Sequence, residues 1–450
     1  MRLPTFKSCG GYEPGIVIDK YGNIFVTAHK QNHCDAVADD PSAPAGVRAQ
    51  SWLWTSHNGG ASWKDMPGLM NLAADPSSLD VGDEGDLGID NARHPHLYFV
   101  DTKVADSSFT RWTIHGLGSE DMSQDVHRPA VPTAETVDDR PWVVAHGNST
   151  VLYAANQGDK DTYNAGSTAN GCTGTSVTPP QPGQKAAGGR YSVFMSYDGG
   201  QTFDSVGCTL PDSGWCRPAA DHTPGSQYLY MFCTNDAGAD DEVNNPGDSG
   251  FTNGTLWSYV SADNGHSWKR YKVDNYNSNL SGGGTSGDIS WPQVVVAKDG
   301  SVDALFNDPV SNSSQVKTGS RLHLYHSVDH GKTWVRQDVT PANAGLIRYS
   351  WVDVDSTGKI GVGYETHQNI NGKWHVYAGI SNGFGYPVKY SLADAIEVAP
   401  NGDFVFGDFF EVAFDNHGRL DVVYTRCTDL VPGNDSTDCS NSDIYFVRSQ

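Results

Sequence analysis

The octapeptide Ser327-Val328-Asp329-His330-Gly331-Lys332-Thr333-Trp334 follows a strand-like run at 321–326 and reads Ser-x-Asp-x-Gly-x-Thr-Trp. Three related copies lie at 56–63, 196–203 and 261–268, the first with Asn in place of Asp. The motif predicts a tight turn, because a short acid side chain accepts hydrogen bonds from backbone NH groups and Gly adopts a dihedral that other residues avoid. The hydroxyl is expected to tie the turn, and the aromatic ring to enter the sheet core. Four copies in one chain indicate a repeat fold.

A second period underlies this motif, since an apolar run, a polar turn and another strand-like run recur seven times. The turns lie at 19–22, 90–91, 145–147, 221–222, 298–300, 355–358 and 415–418. A third strand-like run follows each pair, and the Ser-x-Asp motif, where present, comes directly after it. Units of roughly 55–75 residues are typical of propeller blades, whose sheets must be buried between two neighbours.

The prediction is therefore an all-β fold, a seven-bladed β-propeller of four-stranded antiparallel blades that forms one domain over residues 1–450. The last unit lacks a fourth strand after its third one. We expect the N-terminal segment 2–7 to supply that strand, which would close the ring and remove an open sheet edge. Polar inserts at 31–50, 164–189, 235–252 and 274–287 are predicted to be loops over one face.

The Ser-x-Asp-x-Gly copies resemble the Asp box, or BNR repeat, of the sialidase superfamily of β-propellers, in which these boxes lie at the outer part of the blades and are structural. The resemblance implies three arginines that bind the substrate carboxylate, a Tyr nucleophile activated by a Glu, and an Asp that serves as acid and base. The residues of this chain that match these roles are Arg140, Arg217, Arg348, Tyr349, Glu84 and Asp139.

Charged or aromatic residues precede the otherwise apolar inner strand of every unit. Because a buried charge without a partner costs several kcal/mol, their recurrence at one topological point predicts a polar funnel at one mouth of the central channel. Aromatic faces stack on sugar rings, and polar groups orient them. Candidate substrate-binding residues in this funnel are Tyr12, Glu13, Trp215, Trp291 and Asp408.

The alternative is structural. Arg140 or Arg217 would then pair across a blade boundary with Glu84 or Asp139, and the aromatic residues would belong to the core between blades.

Three functions remain open, and the first is a secreted carbohydrate-active enzyme, a sialidase-like glycoside hydrolase that cleaves a glycosidic bond at an acidic sugar. The second is a polysaccharide lyase acting next to a uronic acid by β-elimination, which needs a base, an acid and a neutralising Arg. His127 is the preferred base, ahead of His146 and His222, which are expected to be solvated turn residues; Tyr349 and Arg140 would complete the set. The third is a non-catalytic propeller that binds glycans or proteins.

The resemblance to sialidases implies an acidic oligo- or polysaccharide as the substrate. A net charge of −23 without clustered Lys and Arg excludes a nucleic-acid-binding face. No apolar run approaches the ~20 residues that span a bilayer, so no membrane is expected, and the chain is expected to be a monomer. No cofactor is predicted, although Asp83-Glu84-Gly85-Asp86 could hold calcium.

Eight cysteines without zinc spacing favour disulfides, and proximity pairs Cys9–Cys34, Cys172–Cys208, Cys216–Cys233 and Cys427–Cys439. Five Asn-x-Ser/Thr sequons begin at Asn148, Asn253, Asn279, Asn312 and Asn434. Together they predict a secreted, glycosylated protein.

Overall fold

The structure, a computed structural model, describes residues 1–4, 11–30, 51–65, 86–106, 109–120, 139–156, 191–204, 207–211, 213–235, 254–276, 292–311, 317–342, 344–368, 373–397, 410–430 and 439–449. In these ranges the chain forms β-strands joined by turns. Within the same ranges, no helical segment has the length and apolar character needed to cross a lipid bilayer.

The strands form seven antiparallel sheets, called blades 1 to 7 in chain order. Blades 1 and 2 contain β1 (Gly11–Ile18), β2 (Ile24–Lys30), β3 (Ser51–Ser56), β4 (Lys64–Asp65), and β5 (Leu87–Ile89), β6 (His96–Asp106), β7 (Phe109–Gly118). Blades 3 and 4 contain β8 (Asp139–His146), β9 (Thr150–Asn156), β10 (Tyr191–Ser196), β11 (Cys208–Thr209), and β12 (Cys216–Ala220), β13 (Leu229–Thr234), β14 (Gly254–Ser261), β15 (Lys269–Tyr276). Blades 5, 6 and 7 contain β16 (Gln293–Val296), β17 (Val302–Ser311), β18 (Lys317–Ser327), β19 (Val335–Asp338); β20 (Leu346–Val354), β21 (Ile360–Gln368), β22 (Lys373–Ser381), β23 (Lys389–Glu397); and β24 (Glu411–Phe414), β25 (Leu420–Leu430), β26 (Cys439–Arg448).

The first strand of each blade is the innermost. Each inner strand contacts the inner strand of the following blade, and β24 contacts β1, so the seven strands close into a ring. The apolar core lies between consecutive blades: Ile16 and Trp54 of blade 1, for example, pack with Ile444 and Phe446 of blade 7. The chain is therefore a seven-bladed β-propeller, as the repeat predicts, but blades 2 and 7 have three strands in the described part of the chain where four were predicted.

The turns at 56–63, 196–203, 261–268 and 327–334, called the Ser-Asp turns, have the predicted hydrogen bonds. In all four, the side chain at the third position accepts the NH of the seventh residue at 2.9 Å. The Ser hydroxyl at the first position accepts the NH of the Gly at 2.7–2.9 Å. The aromatic ring is fully buried in the case of Trp268 and partly buried in the other three turns.

The glycine of each Ser-Asp turn lies against the preceding blade. Its φ is between 72° and 87° in the four turns. A Cβ at Gly60 would approach Phe446 of blade 7 to 2.4 Å, and one at Gly265 would approach Met195 of blade 3 to 2.6 Å. Only glycine satisfies both the dihedral and the close approach.

Five of the inner hairpins turn on an aspartate whose carboxylate accepts backbone NH groups of the same turn: Asp19, Asp90, Asp221, Asp355 and Asp415. These carboxylates are occupied by their own turns. They account for the Asp-rich turns of the sequence without any ligand.

The N-terminal segment lies antiparallel to β26. The Leu3 NH donates to the Ile444 carbonyl at 2.8 Å, and the Phe446 NH donates to the Met1 carbonyl at 2.7 Å. Arg2 also contacts the buried Asp443 carboxylate at 2.8 Å. Residues 5–10 lie outside the described ranges.

Two predictions outside the strand pattern can be compared directly with the structure. Cys216–Cys233 is a disulfide, as predicted, and joins neighbouring strands β12 and β13. The prediction of a loop from Asp274 onward is wrong at its start, because Asp274 lies in β15 and accepts a hydrogen bond from Arg336 at 2.9 Å. The other three cysteine pairs involve residues or side chains outside the described part of the chain.

We predict that Gly60→Ala lowers the free energy of unfolding by about 2–5 kcal/mol, the sum of a positive-φ cost and an overpacking cost against Phe446. Gly147→Ala is the matched control, since Gly147 has a φ of 62° and no heavy atom lies within 4 Å of the position that an added methyl group would take. That control should lose only about 1–2 kcal/mol in guanidinium unfolding. Equal losses for the two variants would contradict the proposed contact between blades.

Candidate active site

One residue in, or directly before, each inner strand lies four positions before the residue that closes the inner hairpin, which is Asp19, Asp90, His146, Asp221, Ala297, Asp355 or Asp415. These residues, called the Arg217 layer, are Gly15, Asp86, Trp142, Arg217, Gln293, Trp351 and Glu411. Because the seven strands surround the channel side by side, the positions fall at one level. The layer thus combines a guanidinium, two carboxyl groups and two indoles in the centre of the ring.

Arg217 extends across the channel from blade 4. Its Nη2 lies 3.1 Å from Glu411 Oε1 on blade 7 and 3.5 Å from Asp86 Oδ1 on blade 2. The guanidinium carbon lies 3.9 Å from the ring centre of Trp142 and 4.4 Å from that of Trp351, so cation–π contacts flank the charge. Arg217 therefore contacts four other blades, namely blades 2, 3, 6 and 7.

The second terminal nitrogen of Arg217, Nη1, is buried and has no hydrogen-bond partner among the residues that the structure describes. An unmet donor on a buried cation is costly, so an acceptor from a ligand or a water molecule would be bound there favourably. Carboxylates suit this donor best, because they match the geometry of a guanidinium.

Both carboxyl groups of the layer also bind the backbone of the next blade. Asp86 Oδ2 accepts the Val143 NH at 2.8 Å, and Glu411 Oε2 accepts the Ile16 NH at 2.7 Å. Gly15 lies beside Glu411, since a Cβ at Gly15 would be at ordinary van der Waals distance, 3.5 Å, from Oε2. The two acids are thereby fixed in position before any ligand arrives.

Burial raises the pKa of Glu411 to about 8, with the nearby Asp86 charge acting in the same direction and Arg217 opposing it. Burial likewise raises the pKa of Asp86, against the effect of Arg217. A carboxyl group that stays protonated near neutral pH has the property required of a general acid.

The channel continues beyond this layer as a cavity of about 270 Å³, lined by inner-strand residues of all seven blades. Arg217, Trp351 and Glu411 border it, and its walls are mostly Val, Ile and Ala. Asp353 also lines it; burial raises the pKa of this carboxyl to about 6, although the Phe414 NH donates to it at 2.6 Å.

Of the residues predicted to be catalytic, Arg217 and Tyr349 have described side chains. Tyr349 is buried in β20 and pairs across the sheet with Glu365, another buried residue, whose side chain should lie within about 5.5 Å at the Cβ atoms. Asp139 and Arg140 begin β8, and Arg348 lies in β20, but their side chains are outside the described part of the structure. Glu84 and His127 lie outside the described residues.

The predicted substrate-binding residues that the structure describes lie at two places, the start of β1 and a core cluster. Tyr12 and Glu13 lie at the start of β1, where the Glu13 carboxylate contacts His29. Trp215 is buried in the core cluster that includes Trp142 and Tyr349. Trp291 and Asp408 lie outside the described residues, as do Asp83, Glu84 and Gly85 of the predicted calcium run. Asp86, the remaining member of that run, faces Arg217.

The histidines considered for a lyase lie elsewhere. His146 ends β8 and His222 follows β12, at the opposite end of the inner strands from the starts where Tyr349 lies. The prediction that both are solvated turn residues is wrong for His146, which is 6% exposed and lies 2.7 Å from the Ser226 carbonyl through Nε2. His222 lines the channel cavity.

Asp86 and Glu411 were not among the predicted catalytic or substrate-binding residues, although each lies within three residues of one that was, Glu84 and Asp408 respectively. Their shared spacing of four positions before a turn aspartate, which Arg217 also has, is the signal that identifies them. Glu84 and the Asp139 side chain, named as partners of Arg217 in the structural alternative, lie outside the described part of the chain, where the carboxylate partners of Arg217 are Asp86 and Glu411.

Comparison with protein-family models and with curated proteins gives no match. Solved structures with a similar course of the chain include a protein of unknown function from Dyadobacter fermentans, with 12% identity, a TM-score of 0.47 and coverage of 100% of this chain and 96% of that one. An ulvan lyase of polysaccharide lyase family PL25 has 11% identity, a TM-score of 0.46 and coverage of 99% and 96%. The NanB sialidase from Streptococcus pneumoniae has 11% identity, a TM-score of 0.39 and coverage of 100% and 70%. These likenesses concern the fold and assign no residue.

The raised pKa of Glu411 makes stability depend on pH. The folded state keeps the proton up to about pH 8, whereas an unperturbed glutamate releases it near 4.5, so the stabilising contribution of the protonated group is lost as pH rises between these values. We predict that the unfolding free energy of the wild type, minus that of Glu411→Gln, falls across this window and is constant on either side. Urea unfolding at a series of pH values measures the difference. A difference that does not change with pH would contradict the assignment.

Proposed function

We propose that this protein is a carbohydrate-active enzyme that cleaves a glycosidic bond at an acidic sugar by sialidase-like hydrolysis. The observation that carries the proposal is the Arg217 layer, where a guanidinium lies between two indoles and beside two acids, and its buried Nη1 has no hydrogen-bond partner in the described part of the chain. In this mechanism, Arg217 binds the acid group of the substrate, and Trp142 and Trp351 keep the guanidinium oriented. Asp86 and Glu411 hold Arg217 in place.

The bond-breaking step follows from the resemblance to sialidases. The Tyr349 oxygen, deprotonated with the help of Glu365, would attack the anomeric carbon while Asp139 protonates the departing glycosidic oxygen. Water, deprotonated by Asp139, would then displace the tyrosine and release the sugar. The pairing of Tyr349 with Glu365 in adjacent strands supports this assignment over the lyase alternative. Arg140 and Arg348 are proposed to complete the carboxylate site.

We also place the protein outside the reducing cytosol. The Cys216–Cys233 disulfide supports this location, since such bonds persist in oxidising compartments. Asn148, the first residue of a sequon, is exposed in the turn between β8 and β9, where a glycan could be attached.

The N-terminal segment is proposed to act as the outer strand of blade 7. Leu3 is 1% exposed and packs in the same apolar cluster as Ile444. We predict that Leu3→Ala costs about 2–5 kcal/mol of unfolding free energy, measured with guanidinium. Leu392→Ala is the control at a site that is 53% exposed, and it should change stability by less than about 0.5 kcal/mol. A similarly small effect of Leu3→Ala would refute the closing role.

The activity itself is tested with a panel of sialylated and uronic-acid-containing oligosaccharides. Hydrolysis predicts new reducing ends without the absorbance of an unsaturated uronate. Tyr349→Phe should lower kcat at least about 100-fold with binding retained, because the nucleophilic oxygen is lost. Tyr386→Phe is the control at an exposed tyrosine and should leave the rate unchanged.

Arg217→Lys should lower kcat/KM for acidic substrates by about 100-fold, because an ammonium cannot reproduce the paired donors. Arg321→Lys, at an exposed arginine of β18, is its control. Formation of unsaturated uronate would identify a lyase, and binding without cleavage would identify a glycan-binding propeller. Either result would replace the hydrolase proposal.

A further inference from the structure

Glu13 has a backbone conformation that residues with side chains rarely adopt. Its φ is 53°, and the other described non-glycine residues with positive φ, Asn264 and His330, both lie in Ser-Asp turns. Such a conformation costs about 1–3 kcal/mol and persists where the surroundings hold it. The pairing of β1 with β2 shifts between Tyr12 and Gly15, so Glu13 lies in a β-bulge. Bulges of this kind commonly re-aim neighbouring groups at functional sites.

A buried histidine lies beside the carboxylate of Glu13, at a distance typical of an ion pair but without the alignment of a hydrogen bond. Glu13 Oε2 lies 3.0 Å from His29 Nε2, and the two side chains are 6% and 1% exposed. The Tyr12 ring lies over the imidazole, with 4.5 Å between ring centres. Because an acid buried to this extent requires a polar partner, the bulge and the histidine are expected to depend on one another.

The bulge leads directly to the Arg217 layer. The Glu13 NH donates to Thr425 Oγ1 of blade 7 at 3.2 Å, which ties the bulge to the sheet that carries Glu411. The Ile16 NH, three residues further along β1, donates to Glu411 Oε2. Regular pairing resumes at Gly15, so the size of the bulge decides where the Ile16 NH lies.

We propose that Glu13 and His29 form a positioning pair that holds the bulge of β1 and thereby places the Glu411 carboxyl group against Arg217. The inference deepens the proposed active site, on which its relevance to catalysis rests. It gives Glu13 a role different from the substrate contact predicted from the sequence. His29 was not singled out by any sequence motif.

The proposal is tested through the proton affinity of Glu411, which the Ile16 NH and Arg217 both lower by stabilising the ionised form. Arg217 and Asp86 face Glu411 from blades 4 and 2, while His29 faces Glu13 from β2. Glu13→Gly removes the anchor but permits the positive φ, so the backbone can remain folded while the bulge becomes free to move. His29→Gln removes the partner and leaves Glu13 in place.

The measurement is the pH dependence of unfolding free energy, with and without Glu411→Gln, in each background. The pH at which the Glu411-dependent change levels off is the midpoint of proton release from Glu411 in the folded state. We expect this midpoint to rise by about one pH unit, a tenfold change in proton affinity, in both Glu13→Gly and His29→Gln. Glu13→Gln keeps an acceptor toward His29 and should restore most of the original midpoint. Asn264→Gly, which relieves a φ of 55° in a Ser-Asp turn, is the matched control and should leave the midpoint unchanged.

An unchanged or lower midpoint in both variants would overturn the proposal. If Glu13→Gly does not fold, His29→Gln decides the question alone. The measurement uses no glycan, so it separates this inference from the proposed function. Loss of the hydrolase assignment would leave the midpoint result valid, and an unchanged midpoint would leave the hydrolase assignment intact.

Discussion

The whole structure depends on a packing constraint: each sheet has two apolar faces, and each face must be covered by another sheet. A linear stack would leave two faces open, whereas a ring leaves none. The contacts between inner strands run from blade to blade and return from β24 to β1, which satisfies the constraint. The ring then fixes seven strand segments at one level around an axis. Residues far apart in sequence meet there only because the sheets must be covered.

The Arg217 layer shows what this arrangement makes possible. A guanidinium and two carboxyl groups would be costly in an ordinary sheet interface, but each has partners supplied by other blades. Indoles from blades 3 and 6 flank the cation, and backbone NH groups of blades 1 and 3 bind the acids. The result is an orientation of charge that the fold sets without any ligand, a property on which electrostatic catalysis in general depends.

Most of the fold and part of the candidate active site could be predicted from the sequence. The Ser-Asp turns and the inner hairpins carry local signals, since turn aspartates and glycines are dictated by hydrogen bonds within a few residues. Arg217 was predicted because it precedes an inner strand. Asp86 and Glu411 were missed, because their contacts with Arg217 join residues 131 and 194 positions apart, and no local pattern reports which acid in a run faces the channel. The bulge at Glu13 is likewise decided by His29 and Thr425, through contacts between strands and between blades.

The glycine contacts of the Ser-Asp turns have a direction, because each turn covers a side chain of the blade made before it. Gly265 of blade 4 lies on Met195 of blade 3, and Gly331 of blade 5 lies on Ser258 of blade 4. The seam between blades 7 and 1 is the exception. Gly60, which packs against Phe446 of blade 7, belongs to blade 1, and blade 1 is synthesised before blade 7. On the ribosome, blade 1 must therefore wait for the strands of blade 7 to emerge before that seam can form. The seam thus joins two blades that are synthesised at different times.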